Sequence, residues 1–392
     1  MTHPERKAAL EALLLAYQFL WRPQPFREPE PAWCPDHPAL AREVLAVDLA
    51  SLETRAADTR GLVLWLAGHF PELAGLLPLL EVPPCPTQTL PVTTSHLFWG
   101  VPGRKQAQIE VYAAALGRPV APVVEWCAGK GHLGRLLSGA WKVPVISLEI
   151  DQALCAAGRE LARQRHLDAD QRFVRADALN PISARHLRGR HALALHACGD
   201  LHRWLITGAV EQSCPALDLA PCCYYRTADA IYRPFSGGRL QLTRDDLRLA
   251  VTETVTASPR LRRTSRTAMA WKLAFQAMAR EVTGKPYHPL KPVPEAWLAA
   301  GFETWCRRLA AREGLPLPAH PDWQGLQAEG ERSAARIRRL ELVRLAFRRA
   351  LELWLVADMA VHLETQGYRV GLCTFCAPSL TPRNLLVSAR RP

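Results

Sequence analysis

Val123-Val124-Glu125-Trp126-Cys127-Ala128-Gly129-Lys130-Gly131-His132-Leu133-Gly134 runs from an apolar strand-like stretch, through a glycine-rich turn, into a helix start. Gly129, Gly131 and Gly134 follow the G-x-G-x-x-G spacing. Glycines there let the backbone turn sharply and approach a ligand closely, and the N–H groups of the following helix start favour a nucleotide-like group. Glu149 closes the next apolar stretch, twenty positions after Gly129, where a carboxylate can accept from ribose hydroxyls. Two cofactor classes can own such a loop, NAD(P) and S-adenosylmethionine. The competing structural reading is a bare strand-to-helix turn.

Three features favour S-adenosylmethionine. Methyltransferases of this type commonly carry an acidic residue just before the loop, near the methionine end, and Glu125 holds that place. Asp177, in Arg175-Ala176-Asp177-Ala178-Leu179, stands where such enzymes contact adenine. The chain also closes with two apolar strand-like segments, as methyltransferase sheets do.

Two further segments put polar groups at strand ends. His191-Ala192-Leu193-Ala194-Leu195-His196-Ala197-Cys198-Gly199-Asp200 places His196 beside the expected cofactor pocket. Asp218-Leu219-Ala220-Pro221-Cys222-Cys223-Tyr224-Tyr225-Arg226 ends the next strand. Tyrosines there can stack on a base, and Arg226 can hold a phosphate or carboxylate. Cys222, Tyr224 and Arg226 are the expected acceptor-side catalytic residues. The structural alternative is that these thiols and rings only pack. Cys373 and Cys376 have C-x-x-C spacing, but a zinc site needs four ligands. The adjacent pair Cys222-Cys223 reads as poor chelating geometry, so no metal is expected.

The elements that must position these groups alternate. Strands are predicted over 120–126, 143–148, 171–175, 191–197 and 216–220, with helices at 132–138 and 152–164 between them. That alternation predicts an α/β chain with a parallel Rossmann-like sheet and right-handed crossovers. A helical N-terminal region is expected over 1–92 and the cofactor-binding core over 93–225. A helical, Arg-rich insertion follows over 226–340. A C-terminal helix and the closing strands, 368–375 and 385–389, complete the core over 341–392. One long helix, straight or kinked, is expected from Arg332 to His362.

The 392 residues carry a formal net charge of +12. A basic balance suits a polyanionic partner such as RNA. Arg260-Leu261-Arg262-Arg263-Thr264-Ser265-Arg266 and Arg336-Ile337-Arg338-Arg339 are the clusters that can track its backbone, unless Glu329, Glu331 and Glu341 pair with such side chains at helical spacing. The eleven cysteines are scattered and read as buried thiols, not a disulfide framework. No apolar run has bilayer-spanning length and the N-terminus lacks a signal-peptide pattern, so a cytoplasmic location without membrane association is expected.

The glycine loop, the His-Ala-Cys-Gly-Asp-Leu and Pro-Cys-Cys-Tyr-Tyr segments and the closing Thr381-Pro382-Arg383-Asn384-Leu385-Leu386-Val387 together resemble one family. It is the group of Rossmann-type methyltransferases that includes the glutathione-S-transferase-C-terminal-domain-containing proteins and related methyltransferase-like proteins. More distantly the chain is similar to tRNA 2′-O-methyltransferases, which carry histidines where this chain has Tyr224 and Tyr225. The resemblance covers about 95–225 and 340–390. It implies a class I S-adenosylmethionine-dependent methyltransferase, and it places Lys105, in Gly103-Arg104-Lys105-Gln106, near the cofactor carboxylate or a substrate phosphate. Pro221-Cys222 is also similar to the Pro-Cys nucleophile of cytosine-C5 RNA methyltransferases, although in those it stands at strand four. The expected acceptor is tRNA or rRNA. A protein or small-molecule acceptor, or a catalytically silent RNA-binding protein on the same fold, are the alternatives.

Overall fold

The computed structural model describes residues 1–91, 95–252, 259–285 and 290–392. The boundary expected between 92 and 93 lies outside the described residues. The chain divides into two compact units: 1–15, 75–256 and 348–392 in the first, 16–74 and 257–347 in the second. No helix of the described residues is long and apolar enough to cross a membrane.

The first unit is built on a seven-stranded sheet in the order β3-β2-β1-β4-β5-β7-β6. The strands are β1 Val123–Trp126, β2 Val145–Glu149, β3 Gln171–Arg175, β4 His191–Cys198, β5 Ala216–Cys222, β6 Arg369–Thr374 and β7 Leu385–Arg390. The first five pair in parallel, and β7 runs antiparallel to both β5 and β6. Helix α1 Gly103–Leu116 precedes β1, and α2 His132–Trp141, α3 Gln152–Arg163 and α4 Asp200–Glu211 lie between parallel strands. The burial pattern explains the assignment: β1 and β5 are buried throughout, as strands covered on both faces must be. Ile109, Tyr112, Leu133, Leu136 and Leu137 from α1 and α2 join Val123, Val145 and Leu193 of the sheet in one core. Each such side chain contributes roughly 1.5–3 kcal/mol by leaving water. The strand order reverses direction between β1 and β4, and open α/β sheets bind ligands at the carboxyl ends beside that point.

The second unit is helical. Pro259–Thr283, Phe302–Glu313 and Trp323–Leu345 enclose Trp271, Phe275, Met278, Trp305, Leu309 and Ile337. Gly330 permits the close approach of two of them, because a Cβ there would stand 2.7 Å from the Ala274 Cβ.

Three expectations need correction. The long helix over Arg332–His362 is two helices, Trp323–Leu345 and Arg348–Thr365. The apolar periodicity runs through the break without Pro or Gly, while the backbone tightens through an i→i−3 bond from Phe347 N–H to the Arg344 carbonyl of 3.0 Å. Residues 226–243 form no helix, because Pro234 and Gly237-Gly238 interrupt them. Asp358, fully buried, holds that segment instead: it accepts from Phe235 N–H at 2.7 Å, Ser236 N–H at 2.9 Å and the Tyr232 hydroxyl at 3.2 Å, with Lys7 Nζ 3.3 Å away. Finally, Cys373 is no thiol. It forms a disulfide with Cys85, 288 residues away.

Candidate functional site

The glycine loop lies where the strand order reverses. Cys127 and Gly129 have φ of +57° and +58°, and Gly131, the residue before α2, has +64°. Gly129 has open space where a Cβ would point, so its bare face is available to a ligand. A Cβ at Gly131 would run into the side chains of Gln171 and Phe173. At Gly134 it would stand 2.6 Å from Glu125 Oε2 and 2.8 Å from Val145 Cγ1. The second and third glycines therefore serve close helix–sheet packing, and the first leaves room.

Beneath the loop lies a buried polar chain. Ser147 Oγ donates to Glu125 Oε2 at 2.8 Å. Gln171 Nε2 donates to Ser147 Oγ and to the Gly131 carbonyl, both at 2.8 Å. Arg135, 1% exposed, donates to Gln171 Oε1 at 3.3 Å and to the Lys130 carbonyl at 3.1 Å. Burial pushes the Glu125 carboxyl up to about 7. Burial, with Arg135 beside it, drops His132 to about 3, leaving a neutral imidazole whose Nδ1 lies 2.8 Å from Arg135 Nη2. Glu125 thus sits under the loop and fixes it to β2. Lys105 is exposed in the first turn of α1, near enough to Glu125 to favour its charge. Neither Arg135 nor Gln171 was among the expected site residues. Their only signal was polarity at positions the helix and strand patterns bury.

Glu149 ends β2 and clasps the loop. Its Oε2 accepts from Gly129 N–H at 2.8 Å, and its Oε1 from Ile150 and Asp151 N–H at 2.9 and 3.0 Å. Asp177 is exposed after β3 and accepts from Leu179 N–H at 2.9 Å. Cys127, also not anticipated, lies among these groups. Burial first, then the charge of Glu149 and the proximity of Cys198 and Asp177, raise its thiol to about 12.

The ends of β4 and β5 are joined. A register shift between Leu195 and Ala197 leaves His196 as the extra residue, with φ +67°, and burial lowers its imidazole to about 4. Cys198 pairs in register with Cys222, their sulfurs 3.4 Å apart. Gly199, at φ +53°, leaves no room for a Cβ beside the Arg226 carbonyl, which accepts from Asp200 N–H at 3.0 Å. Cys223 has φ +46°, which turns its sulfur back so that the Sγ atoms of Cys198, Cys222 and Cys223 all lie within 4.8 Å of one another. Adjacency of the two cysteines was expected to keep them from chelating; the left-handed backbone at Cys223 removes that objection. Hydrogen bonds with Cys198 and Cys222 pull the Cys223 thiol well down, while those with Cys198 and Cys223 push the Cys222 thiol up.

The acceptor-side residues separate by exposure. Tyr224 is 2% exposed, with its ring edge-on to His202 at 5.6 Å, so no face is free to stack on a base. Its hydroxyl has no hydrogen-bond partner among the described residues. Tyr225 is half-buried with Arg248 over its ring at 5.2 Å, and Arg226 is exposed. The structure gathers Cys127, Gly129, Glu149, His196, Cys198, Cys222 and Cys223 at the carboxyl ends of β1, β2, β4 and β5.

The expected basic clusters are partly spent inside the second unit. Glu53 takes Arg262 at 3.1 Å and Arg266 at 3.2 Å. Arg339 donates to the Val47 carbonyl at 2.7 Å and Arg336 to that of Pro29 at 3.4 Å. Arg260 and Arg263 are exposed.

Residues 104–229 match a family described as a methyltransferase domain. Among solved structures, an O-methyltransferase family protein from Burkholderia thailandensis aligns with a TM-score of 0.32 at 12% identity, over 84% of this chain and 71% of its own. A glycopeptide N-methyltransferase complexed with sinefungin aligns with a TM-score of 0.25 at 21% identity, over 39% of this chain and 71% of its own. A cyclopropane synthase from Mycobacterium tuberculosis aligns with a TM-score of 0.25 at 15% identity, over 73% and 82%. At those scores the three add nothing to the strand order. The matched region spans α1 through the end of β5, the same residues that build the loop and both strand ends, so this part of the chain matches a methyltransferase domain.

Proposed function

We propose that this protein methylates RNA, with the acceptor held at the ends of β4 and β5 opposite the glycine loop. The observation that carries the methyl-donor half is the loop itself: Gly129 presents a bare face to open space while Glu149 holds its N–H from the end of β2. The residues present fit the cofactor. The open side of Gly129 accommodates its backbone-hugging portion, Glu149 keeps acceptor capacity for ribose hydroxyls, and Asp177 lies exposed beyond β3 for adenine. The sulfonium of the bound cofactor supplies an already activated methyl group. The protein's task is then to align the acceptor in line and exclude water.

The RNA half rests on the net charge of +12 and on exposed Arg226 at the acceptor end. Arg226 would bind an acceptor phosphate, and Lys105 a phosphate or the cofactor carboxylate. One observation favours a protein or small-molecule acceptor instead: Arg262, Arg266, Arg336 and Arg339 are engaged within their own unit, which reduces the cationic surface. Incubation with methyl-labelled cofactor and cell extract separates the readings. Label removed by ribonuclease and not by protease is expected; label removed by protease alone would exclude RNA. Calorimetry with S-adenosylmethionine addresses the silent-scaffold alternative, which predicts no binding.

A further inference from the structure

We propose that Cys198, Cys222 and Cys223 form a three-thiolate site for a thiophilic divalent cation, zinc being the ion whose chemistry fits best. Three sulfurs around one tetrahedral zinc, at Zn–S of about 2.3 Å, stand roughly 3.8 Å from one another. Here one pair is 3.4 Å apart and all three fall within 4.8 Å, so the set converges on one point. The sulfurs come from three different local supports: the end of β4, the end of β5, and the left-handed residue after β5. A non-glycine residue at φ +46° is strained, costing on the order of 1–2 kcal/mol, and such strain concentrates at functional sites. The strain at Cys223 has a visible product, which is the aim of its sulfur at the other two.

Binding is an exchange of protons for metal. Each thiol that ligates releases one proton, three in all, and the three thiolates with a divalent cation carry a net charge of −1. Arg226 and Arg383 both lie close enough to favour negative charge on Cys223, and they offset that charge. Cys222 is 4% exposed while Cys198 and Cys223 are half-buried, so the site opens to one side. Three protein ligands leave a fourth position on that side for water or an acceptor atom, the pattern of an open zinc site. The inference stands on the sulfur geometry and does not require the RNA reading.

The test uses the full chain without a metal-binding tag, reduced, stripped with a chelator, and titrated with cobalt(II) and then zinc. One cobalt per chain with thiolate-to-metal charge-transfer absorption, displaced stoichiometrically by zinc, is expected. Cys222→Ser and Cys223→Ser should each abolish that absorption. Cys214→Ser, a buried thiol beyond the other end of β5, should leave it intact. Where Cys222→Ser fails to fold by circular dichroism, the half-exposed Cys223→Ser decides. Absence of charge-transfer absorption in reduced wild type, or its persistence in Cys223→Ser, overturns the site. Calorimetry with S-adenosylmethionine on the same samples reports on the methyl-donor reading separately. A disulfide between Cys198 and Cys222 that survives reduction, seen by peptide mapping as those two cysteines left unalkylated, would also overturn it; the Cys85–Cys373 bond is mapped separately.

Discussion

Gly129 and Gly134 belong to one motif but answer to different physics, and substitutions separate them. Gly134→Ala puts a methyl 2.6 Å from a buried carboxylate oxygen and 2.8 Å from Val145, neither of them a flexible chain end. Overpacking of that kind costs about 1–3 kcal/mol, read as a lower urea midpoint. Gly129→Ala meets only empty space and its positive φ, so it should leave stability within about 1–2 kcal/mol while weakening cofactor binding in calorimetry. Glu125 gives a pH prediction. Its carboxyl is raised from 4.5 to about 7 by burial, so the folded state holds the proton more tightly than the unfolded one. Its contribution to stability is present below pH 4.5 and is lost as pH rises to about 7, a change of about 3 kcal/mol at most. Glu125→Gln should flatten the stability profile over that window; a profile as steep as wild type would show that another group carries it. At this scale the sequence shows residue types in register and hides backbone sign. The glycine spacing was legible, whereas the left-handed turn at Cys223 was not, because nothing in a Cys-Cys pair announces a positive φ.

Among the elements, strands and helices of the sheet were legible because their periods are distinct and their ends are marked by Gly, Asp and Pro. Strand β3 falls at 171–175 as expected, and α2 and β5 extend their predicted ends by a few residues. The segment from 226 to 243 was not legible, since its order comes from one carboxylate on a distant helix. Asp358→Ala leaves two N–H donors, two hydroxyls and Lys7 without their shared acceptor. Removing one partner of such a buried set costs about 3–5 kcal/mol, measurable as a fall in thermal midpoint. Protease cleavage within 226–243 should accelerate in the same variant. Unchanged cleavage would mean that Asp358 does not hold the segment.

Taken whole, the chain's +12 charge makes a prediction about solution conditions. If the acceptor is RNA, its binding should weaken steeply with salt, and Arg226→Ala should shallow the slope of log affinity against log salt by about one phosphate contact. A salt-independent KM would point to an uncharged acceptor. Composition could not reveal that several arginines are satisfied internally, because Glu53 lies some two hundred residues from Arg262. The same remoteness hid the Cys85–Cys373 bond.

That bond has a consequence for the order in which the molecule assembles. Strand β7 follows β6 in the chain yet lies between β6 and β5, so β6 reaches the sheet only through a strand made after it. Until residues 385–390 leave the ribosome, β5 presents an open edge and β6 has no strand of the sheet to join. The outer side of β6 meets the chain early, however: Cys85 N–H donates to the Thr374 carbonyl and Thr374 N–H to that of Pro83, both at 2.9 Å. The disulfide sits at that seam. An early segment can thus dock β6 first and hold it in waiting, which shields a nascent edge from the edge-to-edge association that exposed strands invite.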